Sequence, residues 1–173
     1  MDMSLVDSLT AIGINSGIFA FMNTQWGWPA IESLHFIGLT LLLATVGLFD
    51  LRLLGFARGI VIRDLHTLVP IGVVGFALNV ITGFMFLLSD PGQYVYNPAF
   101  QLKVLAMLIA GLNLLVFYAF FAGQVRSLPA TMRVPKAAKL IALVSLGSWC
   151  AVITGGRLIT FYRPPEFWCF WCQ

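Results

Sequence analysis

The sequence predicts an all-α fold: an integral membrane four-helix bundle with both termini on its outer side, preceded by an interfacial helix. Three observations predict it. Of 173 residues, 60% are hydrophobic and 10% charged, whereas a soluble domain carries about 25% charge, and so few charges cannot coat a water-soluble particle. Four apolar stretches reach bilayer length. None of them alternates apolar and polar residues as a membrane strand does, so in lipid their backbone groups must be satisfied within helices. The same composition excludes intrinsic disorder. Ten Lys and Arg, with no basic stripe, give no footprint for nucleic acid.

Residues 1–28 form an arm. Leu5, Leu9, Ile12, Phe19 and Met22 can coat one side of a helix lying in the interface; a partly re-entrant segment capping the bundle mouth is the alternative. The first basic residue is Arg52, so the arm lacks the basic start of a cleaved signal peptide. The membrane domain, 29–162, opens at Pro29 and is predicted to cross at Ala30–Leu54, Leu65–Leu88, Ala99–Ala122 and Leu140–Tyr162. Each span has roughly 23–25 residues, which at about 1.5 Å per residue crosses a hydrocarbon core of about 30 Å with some tilt. Asp90-Pro91-Gly92 closes the second span and Asn97-Pro98 opens the third. Two prolines between Ser127 and Pro135 separate the third from the fourth, and Pro164-Pro165 stops the fourth. An aromatic, cysteine-bearing tail occupies 163–173.

Charge orients the bundle. Arg52, Arg58 and Arg63 follow the first span; Arg126, Arg133, Lys136 and Lys139 follow the third. The positive-inside rule places that end in the cytoplasm and both termini outside. Trp26, Trp28, Tyr94, Tyr96, Tyr162, Trp168 and Trp171 all fall at the opposite, outer interface, where aromatic belts form.

An ionisable side chain at mid-span costs about 2.5–3.5 kcal/mol on insertion scales, so each needs a reason. Glu32, His35, Met85, Lys103, Met107 and Arg157 lie at similar depth beneath the outer surface. Glu32 and His35 share a helix face, as do Lys103 and Met107. Cys150, Thr154 and Arg157 follow one seven-residue seam. With these faces turned inward, one pocket would hold a carboxylate, an imidazole, two thioethers and two cations. A His/Met pair suits copper or a haem iron. In that arrangement His35 ligates with Met85 or Met107, Glu32 orients His35, and Lys103 and Arg157 balance anionic groups. The alternative is an ion-pair network of Glu32, Lys103 and Arg157 tying three helices together, with both methionines as packing residues.

His66 lies about one bilayer thickness from His35 and reads as a helix-start histidine that Tyr118 can meet. Asp50 with Arg52 reads as a membrane-boundary pair. Asn79 and Asn113 read as interhelical glue, the glycines of spans two and four as close-packing positions, and Cys150 as a buried small hydrophobe. Cys169-x-x-Cys172 lacks the following His of covalent haem attachment; it can form a disulfide or bind copper, or simply sit within an aromatic anchor. There is no phosphate-binding glycine loop, HExxH or nucleophile elbow, and the two halves do not match as inverted repeats.

The strings ESLHFIGLTLLLATVGLFDLRLLG (Glu32–Gly55), NPAFQLKVL (Asn97–Leu105) and Gly155-Gly156-Arg157 resemble a family of small four-span bacterial inner-membrane proteins of unassigned function. That family distantly resembles copper-resistance D proteins and cytochrome b561-like bundles, which handle copper or bind haem b through span histidines. The resemblance covers about residues 28–162 and implies the bacterial inner membrane and a periplasm-facing haem b or copper site used in electron transfer or metal handling. The chain departs from the cytochrome pattern in lacking paired histidines at matching depth. The competing expectation is a non-catalytic membrane subunit or anchor whose outer rim docks a membrane or periplasmic protein, or a second copy of itself.

Overall fold

A computed structural model of the chain describes residues 3–56, 59–126 and 134–161. The helices run in order α1 (Met3–Asn15), α2 (Ile18–Met22), α3 (Gly27–Leu54), α4 (Ile62–Leu65), a 3-10 turn (His66–Leu68), α5 (Val69–Ser89), α6 (Pro91–Val95), α7 (Pro98–Phe120), α8 (Ala122–Arg126) and α9 (Lys136–Phe161). Four stretches are long and apolar enough to cross a bilayer: α3, α4 through α5, α7 and α9. The chain is a multi-pass membrane protein by that measure, and the spans fall within a few residues of those the sequence predicts. The fourth starts earlier because Lys136 and Lys139 join its first turn, as long cationic side chains can at a membrane boundary.

Local chemistry sets the ends. Pro29 sits in the first turn of α3, where a missing N–H removes no helix bond. Gly55 ends α3 in the left-handed region at φ 106°, which costs glycine little. The Asn97 side chain accepts from the Ala99 N–H at 2.9 Å, capping α7. Its amide also donates to the Ile159 carbonyl at 3.4 Å, so one fully buried residue ties the start of α7 to the end of α9.

The interior faces follow an alternating three-and-four spacing. Ile31, His35, Gly38, Leu42, Thr45 and Phe49 line α3 inward, and Gly72, Gly75, Asn79, Thr82 and Phe86 line α5. Ala99, Lys103, Ala106, Ala110, Asn113 and Phe117 do the same on α7, and Ala138, Ala142, Ser145, Val152 and Ile159 on α9. This is the seam of left-handed helix packing. α3 packs along α5, α7 along α9, and α3 against α9 joins the pairs, whereas α5 and α7 scarcely approach. At the end bearing the basic loops (the basic end), Leu53, Ile62, Phe117, Val125, Ala138 and Ala142 form a closed core.

The arm docks at the opposite end. α1 lies against α5 and α6, and α2 against α5, with Gly13 pressed on the Leu88 backbone carbonyl. Met22 is buried, whereas Leu5, Ile12 and Phe19 remain exposed. The apolar residues predicted to coat one side are thus divided between the bundle and the outside. Tyr162, Arg163 and the tail with Trp168, Cys169, Trp171 and Cys172 lie outside the described residues.

Close approach of α3 and α5 rests on absent side chains. A Cβ at Gly75 would stand 2.7 Å from the Gly38 oxygen and 2.7 Å from the Leu42 nitrogen, both backbone atoms. Gly75→Val is therefore expected to cost about 1–3 kcal/mol as overpacking and to lower the unfolding midpoint in detergent. Gly147→Ala, mid-helix with nothing within 4 Å of the added Cβ, is expected to keep the midpoint or raise it, by up to about 1 kcal/mol of helix propensity.

Candidate functional site

Of the polar residues expected to converge beneath the outer surface, His35 and Lys103 are half-buried and interact, whereas Glu32 and Arg157 are exposed. His35 is half-buried, and its Nδ1 lies 2.7 Å from Thr82 Oγ1. The Thr82 hydroxyl donates to the Leu78 carbonyl at 2.6 Å, so its oxygen accepts the Nδ1–H of His35. That assigns the tautomer and leaves Nε2 with its lone pair. Phe86 meets the imidazole edge-on at 5.7 Å between ring centres. The Lys103 charge acts on His35, and the Lys103 stem passes over Gly155, whose missing side chain leaves room for it.

Arg157 holds its guanidinium 5.0 Å from the centre of the Phe161 ring. Among the described residues Glu32, Lys103 and Arg157 form no ion pair with one another. The Glu32 carboxylate is felt instead at Tyr94 in α6. Burial, with Asp90 and then Glu32 adding, pushes that phenol up to about 12, so it stays a neutral donor. The seam of Cys150, Thr154 and Arg157 faces outward, all three being exposed. The face of α9 that points inward carries Ala138, Ala142, Ser145 and Gly155, because lipid gives polar side chains no advantage over small ones that admit a neighbouring backbone. Met85 is half-buried one turn from Thr82, while Met107 lines a different space. Among the described residues no three His, Cys, Asp or Glu side chains group as a metal site would.

That different space is the more developed site. In the basic-end half, all four spans enclose a cavity of about 290 Å³, walled mainly by aliphatic and aromatic groups. Phe49, Phe76, Phe117, Tyr118 and Trp149 supply the rings; Thr45, Asp50, Asn113 and Ser145 supply the polar atoms. Asp50 is 4% exposed and accepts from the Ser145 hydroxyl, and its Oδ2 has no hydrogen bond among the described residues. Asn113 donates across to the Ile141 carbonyl of α9 at 3.0 Å, the interhelical tie its position predicts. Asn79 differs: its amide donates to Gly75 of its own helix at 2.9 Å. Arg52, also buried, sends Nε to the Ile60 carbonyl at 2.6 Å and braces the loop after α3. His66 stacks edge-on with Phe49 and Tyr118, at 5.2 and 6.2 Å between centres, just behind the cavity wall.

The cavity opens sideways. Its lining residues on α3 and α9 are buried or half-buried, whereas Val73 and Phe76 on α5 and Gly111, Leu114 and Tyr118 on α7 are exposed. Among the described residues, the open side is therefore the gap between α5 and α7.

Thr82, the partner that holds His35, lies on the three-and-four stripe of α5 and is legible there, though Glu32 was the expected partner. Thr82→Val is expected to cost about 1–3 kcal/mol, because it leaves a half-buried ring N–H without its acceptor. Imidazole ¹⁵N shifts are expected to report Nδ1–H in the unmodified protein and to lose that signature in the variant. Compared with protein-family models, curated proteins and solved structures, the chain finds no match.

Proposed function

We propose that the chain is a membrane-embedded binding protein that admits a small lipophilic molecule from the bilayer, through the gap between α5 and α7, into the basic-end cavity. The observation that carries this reading is the cavity itself: lined from all four spans, about 290 Å³, and open between α5 and α7. That volume is near the lower bound of sites for drug-sized ligands, about 300–1,000 Å³. Its mostly apolar wall with a few converging polar atoms matches the general character of such sites. The positive-inside rule supports a cytoplasmic basic end, hence a cavity in the cytoplasmic half and termini outside. The motif strings support placing the chain in a bacterial inner membrane.

Gly111 lines the cavity and has nothing within 4 Å of where its Cβ would stand. Gly111→Phe is therefore expected to fill the space, abolish saturable binding of an apolar aromatic probe in nanodiscs, and leave the unfolding midpoint unchanged. Unaltered binding in this variant would remove the cavity from consideration.

A second reading is favoured by the tautomer of His35. With Nδ1–H held by Thr82, Nε2 is free to ligate, the arrangement ligating histidines usually adopt. Haem b or copper bound there would supply one-electron chemistry, with Met85, one turn from Thr82, as the candidate thioether and Lys103 balancing anionic groups. Added haemin is then expected to give a Soret band, or added copper a stoichiometric load, that His35→Ala loses and His66→Ala keeps. Copper held through Cys169 and Cys172 would survive both changes. Protein that takes up neither group, binds no apolar probe and elutes with another subunit would be an anchor.

A further inference from the structure

The cavity wall carries more information than its size. Among the described residues its formally charged lining residue is an acid, Asp50, and no lysine, arginine or histidine lines it. Thr45 and Ser145, beside that acid, have committed their single hydroxyl hydrogens, and Asn113 has committed one of its two amide hydrogens. Thr45 donates to the carbonyls of Leu41 and Leu42 at 3.0 and 2.9 Å, Asn113 donates to Ile141, and Ser145 donates to Asp50 itself. Thr45 and Ser145 therefore offer an occupant oxygen alone, while Asn113, Tyr118 and Trp149 carry N–H and O–H groups elsewhere in the wall. Five aromatic rings complete the wall, and ring faces attract cations, by about 2 kcal/mol or more when desolvated.

From this arrangement we infer that the cavity selects a lipophilic amine: a compact apolar body ending in a protonated, hydrogen-bond-donating nitrogen that engages the Asp50 carboxylate. The inference rests on the cavity being a ligand site, as proposed above, and adds the chemistry of the ligand. A carboxylate within the spans is costly unless it is paired. An ammonium group arriving by way of the α5–α7 gap supplies both a charge partner and the missing donor. A ketone or ester of the same shape supplies neither. The cavity volume, about 290 Å³, suits a free small amine rather than a whole phospholipid.

The test uses the full chain in nanodiscs and three probes that share one body: phenylbutylamine, phenylbutanol and phenylbutyl methyl ketone, titrated by calorimetry near neutral pH. A hydrogen bond to a charged group is worth about 1.5–3 kcal/mol, so the amine is expected to bind about 10–100-fold tighter than the ketone, with the alcohol between them. Asp50→Asn is expected to bring the three within a few-fold of one another while the body still binds. A ketone that binds as tightly as the amine overturns the inference and leaves the cavity reading standing. So does an Asp50→Asn protein that keeps the preference for the amine. Failure of all three probes in the unmodified protein overturns the cavity reading, and the inference with it. The probe series on the unmodified chain decides the matter even where Asp50→Asn does not fold.

Discussion

Lipid tails are as apolar as leucine, so burying leucine between two membrane helices gains little over leaving it in the bilayer. Attraction then comes from how closely two backbones can pack, and α3 and α5 meet through Gly38, Gly72 and Gly75. A Cβ at Gly38 would stand 2.9 Å from the Gly75 oxygen, and one at Gly72 would meet the Thr45 hydroxyl at 2.5 Å. α7 and α9 use the same device at Gly155, where a Cβ would approach the Ala99 oxygen at 3.1 Å. α3 then joins the two pairs through α9. With the pairs formed by glycine and alanine, everything else about the bundle is decided by what stands on the same stripes where small residues give way.

They give way in the basic-end half. Phe49 continues the α3 stripe, Phe117 the α7 stripe, and Phe76 and Trp149 flank the stripes of α5 and α9. Phe49 and Phe117 meet edge to face at 5.4 Å between centres, which props the helices apart rather than drawing them together. The core of Leu53, Ile62, Val125 and Ala138 closes the extreme end, so the space held open by the rings is shut at that end and open at its side. Tight packing in one half and loose packing in the other follow from one rule applied to residues of different size.

The spans were legible in composition because bilayer thickness fixes their length. The inward faces were legible too, as three-and-four stripes of small residues, but that signal competes with the more conspicuous spacing of polar ones. Following polarity places Cys150, Thr154 and Arg157 inside; following size places Ala138, Ala142 and Gly155 there, and size decides. Arg157 lies about one turn from the end of α9, where a long cationic side chain can reach the headgroups without a buried partner. Thr82 stands on the α5 stripe and could be read as the residue facing His35. The cavity could not be read: it is a difference in side-chain volume summed over four helices distant in sequence, and no local pattern encodes it.

The two halves therefore handle polarity differently. In the tight half a polar group is satisfied within the protein: His35 by Thr82, Asn97 by Ala99 and Ile159. In the loose half Asp50 accepts from Ser145 and still has an oxygen without a hydrogen bond among the described residues. A bundle selected for stability alone would gain by replacing that acid with a residue of similar volume, since buried charged groups are often neutral or worse than apolar replacements. An incompletely satisfied acid beside open volume is therefore more readily understood through what enters the volume than through what holds the helices.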